Sequence, residues 1–170
     1  APVTGGDSGA IHATLSILVG GNKEDYEACL PLFKAMGTNI NYQGPSGQGQ
    51  HAKMANQIMI AGALSGVCEA LTYAQSKGLD LDVLLKSVST GAAGSHQLDA
   101  FGPKILKEDY QPGFFLKHFI KDMKLADEEA KASDITLNVL ERVLENYKTL
   151  EEEGYGDLGT QALMKYYKKS

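Results

Sequence analysis

Apolar residues change their rhythm along this chain. Over Ala13–Val19 they partly alternate and then run together, as in a half-buried strand. Gly20-Gly21-Asn22 is a turn signal, and Asn22 is placed to cap a helix from Lys23 to Met36 with an acidic first turn. Gly37 stops that helix, and Thr38–Tyr42 reads as another short strand. Ala1-Pro2-Val3 reads as the end of a strand cut by the N-terminus. Residues 1–44 are therefore expected to be α/β.

From Gly47 onward no strand pattern recurs. Gly49–Ser76 is one long apolar pattern without proline, and Ala55, Met59, Gly62, Gly66 and Ala70 fall along one face. A helix apolar nearly all round is expected at the buried centre of a domain, and the small residues would let other helices approach closely. Gly78 ends it. Further helices are expected over Asp82–Val88, Ser95–Leu106, Leu116–Lys131, Ile135–Glu152 and Gly159–Tyr167. The run Glu151–Glu153 and the tail Lys168-Lys169 read as solvated helix ends. The chain is thus expected to be mainly α, with an α/β part over 1–44 and an all-α domain over 45–170 built on one long central helix.

Charge narrows the partners. The net charge is −5 and the basic residues are scattered, whereas nucleic acid needs a clustered basic face. Cys29 and Cys68 each sit in an apolar helical pattern, as small buried side chains do, rather than as a disulfide or metal pair; a reducing cytoplasm fits. No uninterrupted apolar run reaches the roughly 18 residues of a membrane span, and no signal peptide is visible, so no membrane partner is expected. His12, His51 and His118 lack the spacing of a zinc site, so no metal is expected.

The densest chemistry lies in Gly47-Gln48-Gly49-Gln50-His51-Ala52-Lys53-Met54-Ala55-Asn56. Positions three apart share a helix face, so Lys53 and Asn56 can point into one pocket, where an ammonium and a carboxamide suit a hydroxyl or carbonyl oxygen. Gly47–Ala52 also spells G-x-G-x-x-A between a predicted strand and a helix. The helix is too long for a normal crossover, and no strand returns with an acidic residue at its end. What remains is a tight strand-to-helix turn whose free N–H groups can face an anion.

Three separated segments share one further pattern: Ala1-Pro2-Val3-Thr4-Gly5-Gly6, then Gly47-x-Gly49-x-x-x-Lys53-x-x-Asn56, then Lys121-Asp122-Met123-x-Leu125-Ala126. Together, and in this order, they resemble the β-hydroxyacid dehydrogenase family, which includes 3-hydroxyisobutyrate dehydrogenase. The resemblance implies a Rossmann domain that binds NAD or NADP, followed by an all-α domain. It makes residues 1–44 the last α/β part of a Rossmann-type sheet, with the cofactor fingerprint outside this sequence. It assigns Lys53 as general acid/base at the substrate hydroxyl and Asn56 as a substrate ligand. Thr4, Gly5 and Gly6 match the segment that binds the substrate carboxylate. Lys121 and Asp122 match the segment near the nicotinamide end of the cofactor, and Gly47 and Gly49 shape the turn that aims Lys53.

These roles are physically coherent. A neutral lysine can accept a hydroxyl proton, and an ammonium can return it to a carbonyl. Lysine ordinarily titrates at about 10.4, so its pKa must fall toward the operating pH. Burial and a nearby cation both push that way, and Lys121 is the expected cation. The resemblance also implies a small hydroxy-acid substrate. A long buried helix with so many small residues suits packing against a second subunit, so a homo-oligomer is expected. The chain alone is expected to be inactive, because the main cofactor site lies outside it. The rivals are a helical interaction module that keeps only association and a 6-phosphogluconate-type fragment, a class whose helical domain is usually longer.

The chain departs from the family's pattern in places. Thr4 stands where serine is common. Gly91–Gln97 resembles a loop lining the substrate pocket in part of the family; there Ser95 is read either as a helix cap or as a substrate contact, and His96 replaces a frequent tryptophan. Asp157-Leu158-Gly159-Thr160-Gln161 stands where many members have Asp-x-Ser-Ala, and Asp157 or Thr160 is expected to cap the last helix.

Overall fold

Strand β2 (Leu15–Gly20) alternates buried and half-buried positions in the computed structural model, which describes residues 1–168. Leu15, Ile17 and Val19 face a small core closed by Tyr26, Phe33 and Ile40. β1 (Val3–Thr4) pairs antiparallel with β2, Val3 opposite Ile17. β3 (Gly37–Gly44) pairs parallel with β2, Ile17 opposite Ile40. The sheet order is β1-β2-β3, and helix α2 (Lys23–Lys34) makes the crossover that a parallel pair requires. A Cβ at Gly37 would overlap the Leu15 carbonyl, so glycine at the start of β3 lets the two strands meet.

α2 stops two residues before the expected Met36, because the amides of Ala35 and Met36 turn back to the Leu32 and Phe33 carbonyls. Asn22 stands at its N-cap, but its side chain bonds the Asp25 carboxylate at 3.3 Å instead of capping an amide. A short helix, α1 (Gly6–Ile11), has no counterpart in the apolar pattern. Its six residues bury only Gly9, so no periodic stripe announces it.

The chain divides into two compact units, Ala1–Gln57 and Ile58–Ser170. Helix α3 (Gln48–Ser76) is one element of 29 residues. It is long and apolar enough by length and composition to cross a membrane. In the second unit Ala61, Leu64, Cys68, Leu71 and Ala74 are buried in the core. The expectation of a helix buried all round is corrected: Met59 and Tyr73 are 67% and 65% exposed, and Gly66 and Ala70 are also exposed. A uniformly apolar helix does not encode which face its neighbours take.

Helices α4 (Leu81–Val88) and α5 (His96–Leu106) follow. Then α6 (Leu116–Ala132) and α7 (Asn138–Leu150) interlock through Phe119 and Tyr147, whose rings meet edge-on at 5.4 Å. α7 starts later than the expected Ile135 and leaves the α-form at Leu150 for a single π-turn, Glu151–Tyr155, where Gly154 has φ 89°. The expected last helix is a 3₁₀ turn, Thr160–Leu163, continued by α8 (Met164–Tyr167). Neither Asp157 nor Thr160 caps it. Gly159 holds that position, Asp157 binds Lys117 at 2.6 Å, and the Thr160 carbonyl accepts from the Tyr147 hydroxyl at 2.8 Å. Glu151–Glu153 are exposed as expected. Lys168 pairs with Glu108, and Lys169 lies outside the described residues.

Candidate functional site

In the first unit the end of β2 and the start of α3 nearly touch. A Cβ at Gly49 would overlap the Leu18 carbonyl oxygen, and one at Gly20 would lie 2.7 Å from the Gly49 nitrogen. Gly47, one residue before the helix, has φ 92°, a left-handed conformation suited to glycine. The two expected turn glycines therefore do different work: Gly47 turns the chain and Gly49 lets helix meet strand. Of the N–H groups expected to be free at this turn, those of Gln48, Gln50 and His51 donate to the carbonyls of Pro45 and Gly47, so these three do not face an anion.

The turn aims Lys53, one turn into α3, at β1. Its Nζ donates to the Val3 carbonyl at 3.0 Å. Thr4 follows Val3 directly and is half-buried opposite Ser16. Gly5 and Gly6 come next, with φ 130° and 62°. They lead into α1, and the first amides of a helix have no partner within it. Asn56 donates from Nδ2 to the Gln57 Oε1 at 2.7 Å, and Gln57 is only 2% exposed. Lys53 thus reaches the strand that continues through Thr4 into Gly5 and Gly6, and Asn56 lies three residues further along α3. Gln57 was not among the expected site residues. Its signal was a polar residue four positions after Lys53, on the same helix face, in an otherwise apolar run.

The remaining candidates belong to the second unit. Lys121 and Asp122 lie on α6 and pair with each other at 2.8 Å; the lysine side chain is 66% exposed and the aspartate 13%. Lys121 lines an open groove with Lys117, Lys124, Leu125 and Glu151. Ser95 is the N-cap of α5, its Oγ accepting from the Leu98 amide at 3.1 Å. The hydroxyl keeps its own proton to donate, so capping leaves the substrate reading open. Burial pushes the Cys68 thiol up to about 12, which keeps it uncharged and unsuited to nucleophilic chemistry. Among the described residues no group of three or more His, Cys, Asp or Glu is placed to hold a metal.

A family model described as the NAD-binding part of NADP-dependent 3-hydroxyisobutyrate dehydrogenase matches residues 47–167. A second, described as the NAD binding domain of 6-phosphogluconate dehydrogenase, matches residues 1–44. The chain is 50% identical to the uncharacterized oxidoreductase YkwC of Bacillus subtilis, over 99% of this chain and 59% of that protein. It is 46% identical to a probable 3-hydroxyisobutyrate dehydrogenase-like protein, mitochondrial, of Arabidopsis thaliana, over 96% of this chain and 49% of that protein. Its fold superposes on the 3-hydroxyisobutyrate dehydrogenase of Mycobacterium tuberculosis solved with L-serine at a TM-score of 0.89, with 26% identity, covering 96% of this chain and 58% of that one. The chain thus spans between 49% and 59% of the length of these relatives.

Proposed function

This chain belongs to the 3-hydroxyisobutyrate dehydrogenase family, and from that premise we propose that it supplies the substrate-handling residues of an NAD(P)-dependent oxidoreductase that interconverts a small β-hydroxy acid and its aldehyde or ketone. The observation that carries this is the Lys53 ammonium held on the Val3 carbonyl, next to Thr4, Gly5 and Gly6.

Each group has a distinct task. The Thr4 hydroxyl and the amides of Gly5 and Gly6 pair with the substrate carboxylate, a strong kind of hydrogen bond because the acceptor is charged. Asn56 holds the substrate from the helix that carries Lys53. Lys53 takes the hydroxyl proton in the oxidative direction and returns it to the carbonyl oxygen in the reductive one. The Val3 carbonyl can accept an N–H from either the amine or the ammonium form, so it fixes Nζ through both halves of the cycle. A nicotinamide cofactor, when bound, accepts or donates the hydride. The donor set of Lys121 and Asp122, a cation and a carboxylate adjacent on one helix, fits the hydroxyl and phosphate groups of such a nucleotide, and these two would hold it.

The relatives' greater length supports a nucleotide-binding part outside residues 1–170, and we expect these residues alone to turn over no substrate. The exposed α3 face with Met59, Gly66 and Tyr73 supports association with a second copy of the chain.

The test is turnover of the full-length protein with NAD⁺ and NADP⁺ on short β-hydroxy acids, L-serine included. Lys53→Ala should lower kcat by about 10²–10⁴-fold, the range of a general base, with unchanged circular dichroism. Turnover equal to the parent in that variant would remove Lys53 from the mechanism.

A further inference from the structure

The Asp157–Gln161 stretch departs from the family's usual spelling, and its geometry gives it a task. Helix α6 has no side-chain cap at its N-terminus, where the first amides lack intrahelical partners. Here the Leu116 amide donates to the Leu158 carbonyl at 2.8 Å and the Lys117 amide to the Gly156 carbonyl at 3.1 Å. In return the Gly159 amide donates to the Tyr110 carbonyl at 2.8 Å and the Thr160 amide to the Phe114 carbonyl at 3.2 Å. Phe115 and Gly159 form an isolated antiparallel bridge between the two segments. The Lys117 side chain, in the first turn of α6, meets Asp157 at 2.6 Å.

Gln161 locks this lattice from within. It has no exposed surface, and its Nε2 donates to the carbonyls of both Asp109 and Gln111 at 3.0 Å. Its side chain folds back over Gly159, where an added Cβ would overlap Oε1. Gly159 is therefore required for Gln161 to reach the loop, which explains the Gly-Thr-Gln order.

We propose that Asp157–Gln161 is a positioning clamp for α6, with Gln161 as its central positioning residue, and that it sets how Lys121 and Asp122 are presented to the nicotinamide cofactor. The proposal rests on the cofactor reading above. The loop over 109–115 leads straight into α6, and Lys121 and Asp122 lie in the next turns of that helix. Releasing the loop frees the first turn, and the cation–carboxylate pair moves with it.

The experiment uses the full-length protein with Gln161→Met, which keeps the length of the side chain but removes the donor, and with Gly159→Ala, which displaces it. Two quantities are read: hydrogen exchange of the Leu116 and Lys117 amides, and the Kd for NADH and NADPH by fluorescence titration. Losing these buried hydrogen bonds should speed exchange and weaken cofactor binding, each by about tenfold, with cofactor KM rising more than kcat falls. Either variant suffices if the other fails to fold. Folded variants with parental cofactor affinity overturn the proposal, and so does faster exchange with unchanged affinity, which would leave the clamp a purely structural part. A parent protein that binds neither nucleotide would overturn the cofactor reading, and the proposal with it.

Discussion

Lys53 and Val3, fifty positions apart, are joined by a 3.0 Å hydrogen bond from the lysine Nζ to the valine carbonyl. That bond brings the first turns of α3 to the strand that leads into Gly5 and Gly6. It separates two tasks of one side chain, being held in place and moving a proton.

Lys53→Arg tests that separation. A guanidinium can still donate to the Val3 carbonyl, but it does not lose its proton in a protein. We expect a folded protein whose turnover falls by about 10²-fold or more. Steady-state rates with a thermal melt check this, and near-parental rates would leave Lys53 only a placing role.

The two glycines of the turn should respond unequally. Gly49→Ala puts a methyl group into the Leu18 carbonyl, an overpacking that typically costs about 1–3 kcal/mol. At Gly47 an added Cβ meets nothing within 4 Å, so alanine there adds only left-handed strain of about 1–2 kcal/mol. Denaturant midpoints should rank Gly49→Ala as the more damaging and the more harmful to activity, because the turn aims Lys53. The reverse order would mean that the strand–helix approach can relax.

The Lys117 ammonium holds the Asp157 carboxyl below its ordinary value of 3.8 through a hydrogen bond and charge. Since the folded-state pKa is depressed, the pair's contribution is present above 3.8 and is lost as pH falls through the lowered value. Asp157 is fully exposed, so the effect on stability is small. Carbonyl NMR titration should show Asp157 titrating low and moving back up in Lys117→Met. An unchanged Asp157 titration in that variant would show that the pair does not persist in solution.

Gly66 tests association. A Cβ there meets nothing within 4 Å, and arginine is a better helix former than glycine. Gly66→Arg should leave the melt of a single subunit unharmed. If α3 packs on a second copy, the same change should turn the dimer into a monomer in sedimentation velocity at micromolar concentration. Dimers in both proteins would move the interface away from this face.

Much of the helical unit was legible because its signals are local. The apolar period of Leu116–Ala132, Gly78 after α3, and Ser95 ahead of α5 each act within a few residues. α1 was not legible, because Gly6–Ile11 has no apolar stripe to read. Asp157 and Thr160 looked like caps from their residue types, and instead serve Lys117 and Tyr147. Lys53 and Asn56 could be named from their spacing, and the other expected site residues only from the family resemblance, whereas the Val3 carbonyl could not be named at all, since a backbone acceptor has no residue type to signal it.

By itself, the sequence determined the kinds and order of the longer strands and helices, and the lysine and asparagine three apart on one helix, because these follow from period and side-chain chemistry over short spans. Only the tertiary structure decided which face of α3 is buried, that Gly49 serves a contact with β2, and that Lys53 rests on Val3. Those outcomes depend on which distant backbone atoms arrive within a few ångströms of one another, and that is set by the packing of the whole unit, not by neighbours along the chain.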